Sequence, residues 1–225
     1  MSKLTGLEIA VVGMACRFPG AKDLHSFWDN LANGRESITF FSKEELREAG
    51  VEQEAIENDH YVRAKGAVDR HDHFDADFFG YSQREAEAMD PQIRMFHEVA
   101  WESLEDAGYH PETYQEPIGL FGAASANLYW QAASMLMRTN NSSEQFAAVQ
   151  LTDKDFMNTK VSYKLNLKGP SVAVDTACSS SLVAVHLAAR ALLTGECKMA
   201  LAGGVTITTP HKKGYMYQEG MIMSP

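Results

Sequence analysis

An α/β fold built on a parallel sheet is predicted for this chain of 225 residues, and three observations predict it. Apolar runs at Ile118 to Ala123 and Met199 to Ile207 have the length and composition of buried strands. The run Val172 to Thr176 passes directly into the Leu- and Ala-rich stretch Cys178 to Leu193, which leads to Met199. Such a strand, helix, strand unit suits parallel strands joined by a right-handed crossover. Between Asp90 and Ala107 lies a helix whose two ends are both specified by sequence.

The elements follow in order. Glu8 to Met14 (EIAVVGM) is a first strand candidate, closed by Gly13 and the turn residues Phe18, Pro19 and Gly20. Asp23 can cap a short helix through Phe27, Trp28 and Leu31 that ends near Gly34. Ser42 can cap a second, Lys43 to Ala49. From Tyr61 to Tyr81 neither period is sustained, which predicts an ordered loop dense in Asp and aromatics. In the clearest helix Asp90 is the N-cap, Pro91 takes the first helical position and Gly108 stands at C′. Ile93, Phe96, Ala100, Leu104 and Ala107 form its apolar stripe, while Arg94, Glu98, Glu102 and Glu105 fall elsewhere. The polar stretch at Asn140 to Ser143 is expected to be an exposed loop, and its N-x-S pattern is not expected to be glycosylated. Gly203 and Gly204 are expected to be close-packing or bulge positions, since no helix start follows them as a phosphate loop requires.

The strand-to-helix junction places Cys178 at a helix N-terminus. Backbone N–H groups and the positive end of the helix dipole lower a thiol's pKa there, and the same N–H groups can hold a developing oxyanion. The alternative is an inert, buried thiol behaving as a small hydrophobe. Cys16 follows the first strand-like run and Cys197 lies in the turn before Met199, so neither opens a helix. Three widely spaced cysteines with no C-x-x-C point to reduced thiols rather than a disulfide framework or a zinc site.

Composition, at 45% hydrophobic and 22% charged, is that of a globular protein able to bury a core. With no apolar run of about eighteen residues, and with MSKLTGL too polar for a signal peptide, a cytoplasmic location is expected. The net charge of −10 disfavours nucleic acid or an anionic membrane as partner. An acidic protein partner would need a local basic patch.

Five segments carry a resemblance: Ile9 to Gly20, Phe74 to Gly108, Val161 to Glu196, Met199 to Val205 and Gly214 to Pro225. Together they make the chain similar, over nearly its whole length, to the β-ketoacyl synthase (ketosynthase) domains of modular polyketide synthases. The last segment resembles synthases of mixed polyketide and nonribosomal-peptide assembly lines. The resemblance implies a thiolase-like layered α/β/α fold, a homodimer, and Cys178 as nucleophile within D-T-A-C-S-S, Asp175 to Ser180. It also implies that residues 1–225 are the N-terminal portion of such a domain. Two further histidines of the family, in H-G-T-G-T-like and N-x-G-H-like motifs, do not occur in the sequence. Ile93 and Tyr81 depart from the usual motif, as packing variation.

The implied reaction is acyl transfer from a carrier-protein phosphopantetheine thioester to Cys178, then decarboxylative Claisen condensation with a malonyl-type extender. No directly bound cofactor is expected. The acyl carrier protein and neighbouring synthase domains are the implied partners. Condensation by this chain alone is not expected, and uncovered apolar faces are expected to promote aggregation. The alternatives are a non-catalytic dimerisation or carrier-docking fragment, and a cysteine hydrolase, although no G-x-C-x-G surrounds Cys178.

No other residue is expected to share the chemistry. His186 lies eight positions beyond Cys178, about 12 Å along the helix, and is expected to be a core or interface histidine. His71 and His73 belong to a loop rich in Asp, and H-x-H alone is a weak metal signal. His97 shows no acid or base partner, and His25, His60, His110 and His211 lie in ordinary contexts. Asp153 with Asp155, and Glu85 with Glu87, are expected to be caps or solvated faces. Met135, Met137, Met221 and Met223 are expected to pack or to line an acyl tunnel.

Overall fold

The structure is a computed structural model that describes residues 5–136 and 142–225. In chain order its elements are α1 (Leu24–Ala32), β1 (Thr39–Phe40), α2 (Lys43–Glu48), α3 (Gln53–Ile56), β2 (Tyr61–Val62), β3 (Ala64–Lys65), α4 (Gln83–Ala88) and α5 (Pro91–Asp106). They continue as β4 (Ile118–Ala124), α6 (Leu128–Leu136), α7 (Ser142–Thr152), α8 (Met157–Lys164), β5 (Ser171–Ala173), α9 (Ser180–Thr194), β6 (Met199–Val205) and β7 (Tyr215–Met216). The chain divides into two compact units, one formed by residues up to Ala15 with His71–Ile207, the other by Cys16–Arg70 with Thr208–Pro225.

The first unit is a parallel sheet in the order β5-β4-β6. Its register runs from Ile118 opposite Met199 to Ala124 opposite Val205, and from Leu120 opposite Ser171 to Gly122 opposite Ala173. β5 and β6, the strands on either side of α9, are therefore not neighbours as a simple crossover unit would have them. β4 lies between, because it is the strand buried on both faces. Its Ile118 and Leu120 enter the core shared with α5 and α8, while Phe121 and Ala123 enter the core against α9. The result is three layers, α/β/α. Ala184, Ala188 and Ala191 are the buried residues of α9, and their small side chains bring the helix close to the sheet.

Crowding falls on β4 and the approach to β5. A Cβ at Gly169 would lie 2.6 Å from Gly119 N and from Ile118 C, and one at Gly122 would lie 2.8 Å from the Phe96 ring. At Gly203 and Gly204 the nearest atoms are 3.8 and 3.5 Å away, ordinary contact, so these are not the close-packing positions expected of them. Glu8 to Met14 forms no ladder either. The segment is extended and anchored by the Met14 N–H on Asp106 Oδ2 at 2.9 Å, but Val11 is 76% exposed. Apolar alternation specifies an extended chain but not its partner, and here the segment lies against the end of α5, where a Cβ at Gly13 would meet Ser103 O and Ala107 Cβ.

α5 has the predicted ends, with the Asp90 carboxylate accepting from Gln92 N–H at 2.8 Å and Gly108 at φ +75°. Ile93, Phe96, Ala100 and Leu104 are buried as its apolar stripe, and so is Arg94, at 8% exposure. The first two turns of α5 are enclosed all round, and the guanidinium lies over the Trp130 ring, 5.7 Å from its centroid. His97 is fully buried among Phe74, Phe79 and Tyr81. Nδ1 lies 2.7 Å from Ile93 O, so it carries the proton, and Nε2 accepts from the Tyr81 hydroxyl at 3.1 Å. The partner that sequence alone did not supply is thus Tyr81, one of the two departures read as packing variation.

Burial pushes the His97 pKa down to about 4. An unfolded histidine protonates near 6.5, so between these values the unfolded chain binds the extra proton and stability falls as pH drops. The cost at pH 5 is about 2 kcal/mol. Urea titrations at pH 7 and pH 5 should show it. The double variant Tyr81→Phe/His97→Leu, which removes both partners together, should have a flatter pH dependence.

In the second unit α1 and α2 begin at the expected caps, Asp23 and Ser42, and each cap forms a reciprocal box, with Ser26 and with Glu45. Phe41, Leu46 and Ile56 form the core. The start of the Tyr61 to Tyr81 loop is more regular than expected, since β3 pairs with β1 and β2 with β7. Lys65 Nζ donates to the carbonyls of Thr208, Pro210 and His211 at 2.9, 3.1 and 3.2 Å. Of the loop expected at Asn140 to Ser143, Asn140 and Asn141 lie outside the described residues, and Ser142 and Ser143 begin α7.

Candidate active site

β5 ends at Ala173, and the chain reaches α9 through a tight elbow. Val174 is buried and donates its N–H to Gly122 O at 2.9 Å, the last tie to the sheet. Asp175 and Thr176 follow, then a 3-10 turn over Ala177–Ser179. Cys178 is in the middle of that turn, just ahead of the α-helix. Ala177 has φ +53°, a conformation that a residue with a side chain keeps only when its surroundings enforce it.

The enforcing groups are the small hydroxyls beside the thiol. Thr176 N–H donates to Ser180 Oγ at 2.9 Å, Ser180 Oγ donates to Ala177 O at 2.7 Å, and Ser179 Oγ donates to Thr176 O at 2.8 Å. Asp175 adds its carboxylate, which lies 3.1 Å from Lys154 Nζ. Lys154, first of all, holds the Asp175 carboxyl below its ordinary range. The N–H groups of Ser179 and Ser180 turn back onto Thr176 O and Ala177 O, so the expectation that first-turn amides hold an oxyanion does not extend to these two.

The three thiols differ in access. Cys178 is exposed, whereas Cys16 is 7% and Cys197 1% exposed. Burial raises the Cys197 pKa. An unhindered thiol on a rigid elbow can attack a carbonyl carbon presented from outside.

The other sequence candidates are not brought to it. His186 is exposed on α9 rather than in the core, because the alanines of that helix, not His186, face the sheet. His73 is exposed and its Nδ1 lies 2.9 Å from Asp72 Oδ1. Among the described residues no three His, Cys, Asp or Glu side chains gather as metal ligands would. Asp153 caps a 3-10 turn through Asp155 N–H at 3.0 Å, and Glu85 completes a capping box with Ser82. Met221 and Met223 are exposed rather than packed, Met137 lies outside the described residues, and Met135 lies on α6. Lys154 is the site residue that sequence reasoning missed.

Ala177–Thr194 is apolar and long enough to cross a membrane by length and composition, although no such run was expected. In the fold it packs on β4 and β6 through its alanines, while Leu182, Val185 and Leu193 face outward.

The family model for the β-ketoacyl synthase N-terminal domain matches residues 7–225. The chain belongs to the β-ketoacyl synthase family. It is 48% identical over 223 residues to a phenolphthiocerol/phthiocerol polyketide synthase protein of Mycobacterium tuberculosis, covering 96% of this chain and 15% of that protein. With the polyketide synthase PksN of Bacillus subtilis it shares 38% identity over 217 residues, 96% of this chain and 4% of that one. Among solved structures it is similar to ketosynthase twelve from the bacillaene polyketide synthase in Bacillus amyloliquefaciens, with a TM-score of 0.84 and 40% identity, covering 96% of this chain and 37% of that chain. The ketosynthase from module 1 of the bacillaene synthase of the same organism gives a TM-score of 0.76 at 42% identity, with 89% of this chain and 35% of that one covered. The chain therefore spans a small part of these curated relatives and just over a third of the solved ketosynthases. Its fold is the thiolase-like α/β fold of those domains.

Proposed function

We propose that the chain serves polyketide biosynthesis as the acyl-loading part of a ketosynthase, with Cys178 as the acyl-accepting nucleophile. The observation that carries this is the exposed thiol on a hydroxyl-braced elbow within D-T-A-C-S-S, while the other two cysteines are buried. The Cys178 thiolate attacks the carbonyl of an acyl thioester on a carrier protein's phosphopantetheine. The tetrahedral intermediate collapses with loss of the pantetheine thiolate, which takes up a proton, and the acyl group remains as a cysteine thioester. Exchange of one thioester for another is close to isoenergetic, so binding and positioning decide the rate.

Condensation then requires a malonyl-type extender to lose carbon dioxide and its enolate to attack the acyl-cysteine, releasing the Cys178 thiolate. Developing enolate charge needs positioned donors. Residues 1–225 contain neither histidine motif that the family uses for this, so the loading step is the part of the reaction that these residues supply. Both compact units belong, on this reading, to one ketosynthase domain, which works as a cytoplasmic homodimer with an acyl carrier protein and adjacent synthase domains. A non-catalytic docking role is the second reading, favoured by the outward apolar residues of α9.

Incubation with an acyl thioester of N-acetylcysteamine, followed by peptide mass spectrometry, tests the proposal. Acylation should fall on the Cys178 peptide in preference to those of Cys16 and Cys197, and condensation should appear only when a polypeptide carrying the two histidine motifs is supplied. Equal labelling of the three thiols, or none at Cys178, would leave the docking role.

A further inference from the structure

Three side chains at a spacing of four residues, Lys154, Asn158 and Ser162, reach from α8 and the turn before it to the strand that carries the thiol. Ser162 Oγ lies 3.1 Å from Ser171 Oγ. Asn158, buried, donates through Nδ2 to Val172 O at 2.5 Å and to Gly122 O at 3.0 Å. Lys154 Nζ lies 3.1 Å from Asp175 Oδ2 and 2.9 Å from Asp155 Oδ1. The contacts run in opposite chain directions, 162 to 171, 158 to 172 and 154 to 175, so one helical face tracks the strand into the elbow.

We propose that this face is a positioning rail for the nucleophile and that Lys154 is the positioning residue at its reactive end. The inference rests on reading Cys178 as the nucleophile. Ser162 and Asn158 fix the strand inside the sheet, where β4 also holds it. Beyond Val174 the sheet contributes nothing, and the elbow contains the left-handed Ala177. Of the groups that brace the elbow, the hydroxyls of Thr176, Ser179 and Ser180 belong to the elbow itself and move with it. Lys154 comes from another element. By fixing the Asp175 carboxylate, two residues before the strained Ala177, it ties the start of the elbow to the turn that precedes α8. Lys154 acts through Asp175 and not on the reacting sulfur.

The pair is solvent-accessible, with the Asp175 side chain 67% exposed, so its influence is modest and screened by salt. The rate at which iodoacetamide alkylates Cys178, followed by peptide mass spectrometry and normalised to the folded fraction, reads it. Lys154→Met should slow alkylation about three- to fivefold with little change in the urea midpoint. Lys154→Arg should restore it, Asp175→Asn should match Lys154→Met, and the double variant should be no slower than either. Sodium chloride at 1 M should slow the unmodified protein alone. An unchanged rate in Lys154→Met, additive effects of the two substitutions, or no rescue by arginine would overturn the rail. Should Lys154→Met fail to fold, the arginine variant and the salt series still decide. If the Cys178 peptide takes no acyl group from the thioester although iodoacetamide alkylates it, the nucleophile reading fails instead, independently of Lys154.

Discussion

Cys178→Ala is expected to abolish acyl-enzyme formation outright while leaving the fold unchanged. The side chain is exposed, and its removal disturbs none of the hydroxyl contacts that brace the elbow, which join Thr176, Ala177, Ser179 and Ser180. Truncation at such a position changes stability by about 0.5 kcal/mol or less. Intact-mass measurement after incubation with an acyl thioester should therefore find one adduct on the unmodified protein and none on the variant, with superimposable urea transitions. The buried Cys16 and Cys197 cannot substitute, because a reagent reaches them only after local opening. An adduct that persists in the variant would mean that acyl transfer does not pass through the elbow.

Gly169→Ala is expected to have the largest effect on stability. The new methyl would lie 2.6 Å from Gly119 N and from Ile118 C and 2.7 Å from Ile118 O, all main-chain atoms of β4 that no rotamer change can move aside. On either side of the clash Gly169 N–H donates to Ile118 O at 2.9 Å and Leu120 N–H to Pro170 O at 2.7 Å, so relief of the contact breaks the bonds that bring β5 onto β4. Overpacking of side chains costs about 1–3 kcal/mol, and a displaced strand lifts the expected loss to about 3 kcal/mol or more. Urea denaturation should show it beside Gly203→Ala, where the nearest atom is 3.8 Å away and the change should be within about 1 kcal/mol. Alkylation of Cys178 should slow in the Gly169 variant as well, since the elbow moves with β5. A transition like that of the unmodified protein would mean that β4 can yield at Ile118.

Local signals in the sequence foretold the parts of the fold that are locally determined. Asp23, Ser42 and Asp90 cap the helices they were expected to cap, because an N-cap oxygen needs only the amides two or three residues on. Cys178 was legible for the same reason, as its place between strand and helix depends on adjacent residues. Strand order was not. Nothing within Val172 to Ile207 says that β4 will separate β5 from β6, and the pattern of Glu8 to Met14 does not say that the segment will lie against α5 instead of joining a sheet. Arg94 fell outside the apolar stripe and His97 showed no partner in the sequence, yet Trp130 and Tyr81 meet them from other parts of the chain. Lys154 was hidden by its ordinary character, a charge in a turn, until Asp175 appeared beside it.

The central place of β4 also sets a schedule. Its partners lie far along the chain, at Ser171–Ala173 and Met199–Val205, so during synthesis the apolar IGLFGAA segment is made first and must wait for both. Pairings between such distant segments carry a high contact order and form slowly, and an unpaired apolar strand is the species that associates with other chains. Translation speed through residues 125–205 thus bears on how much of this protein reaches its native state.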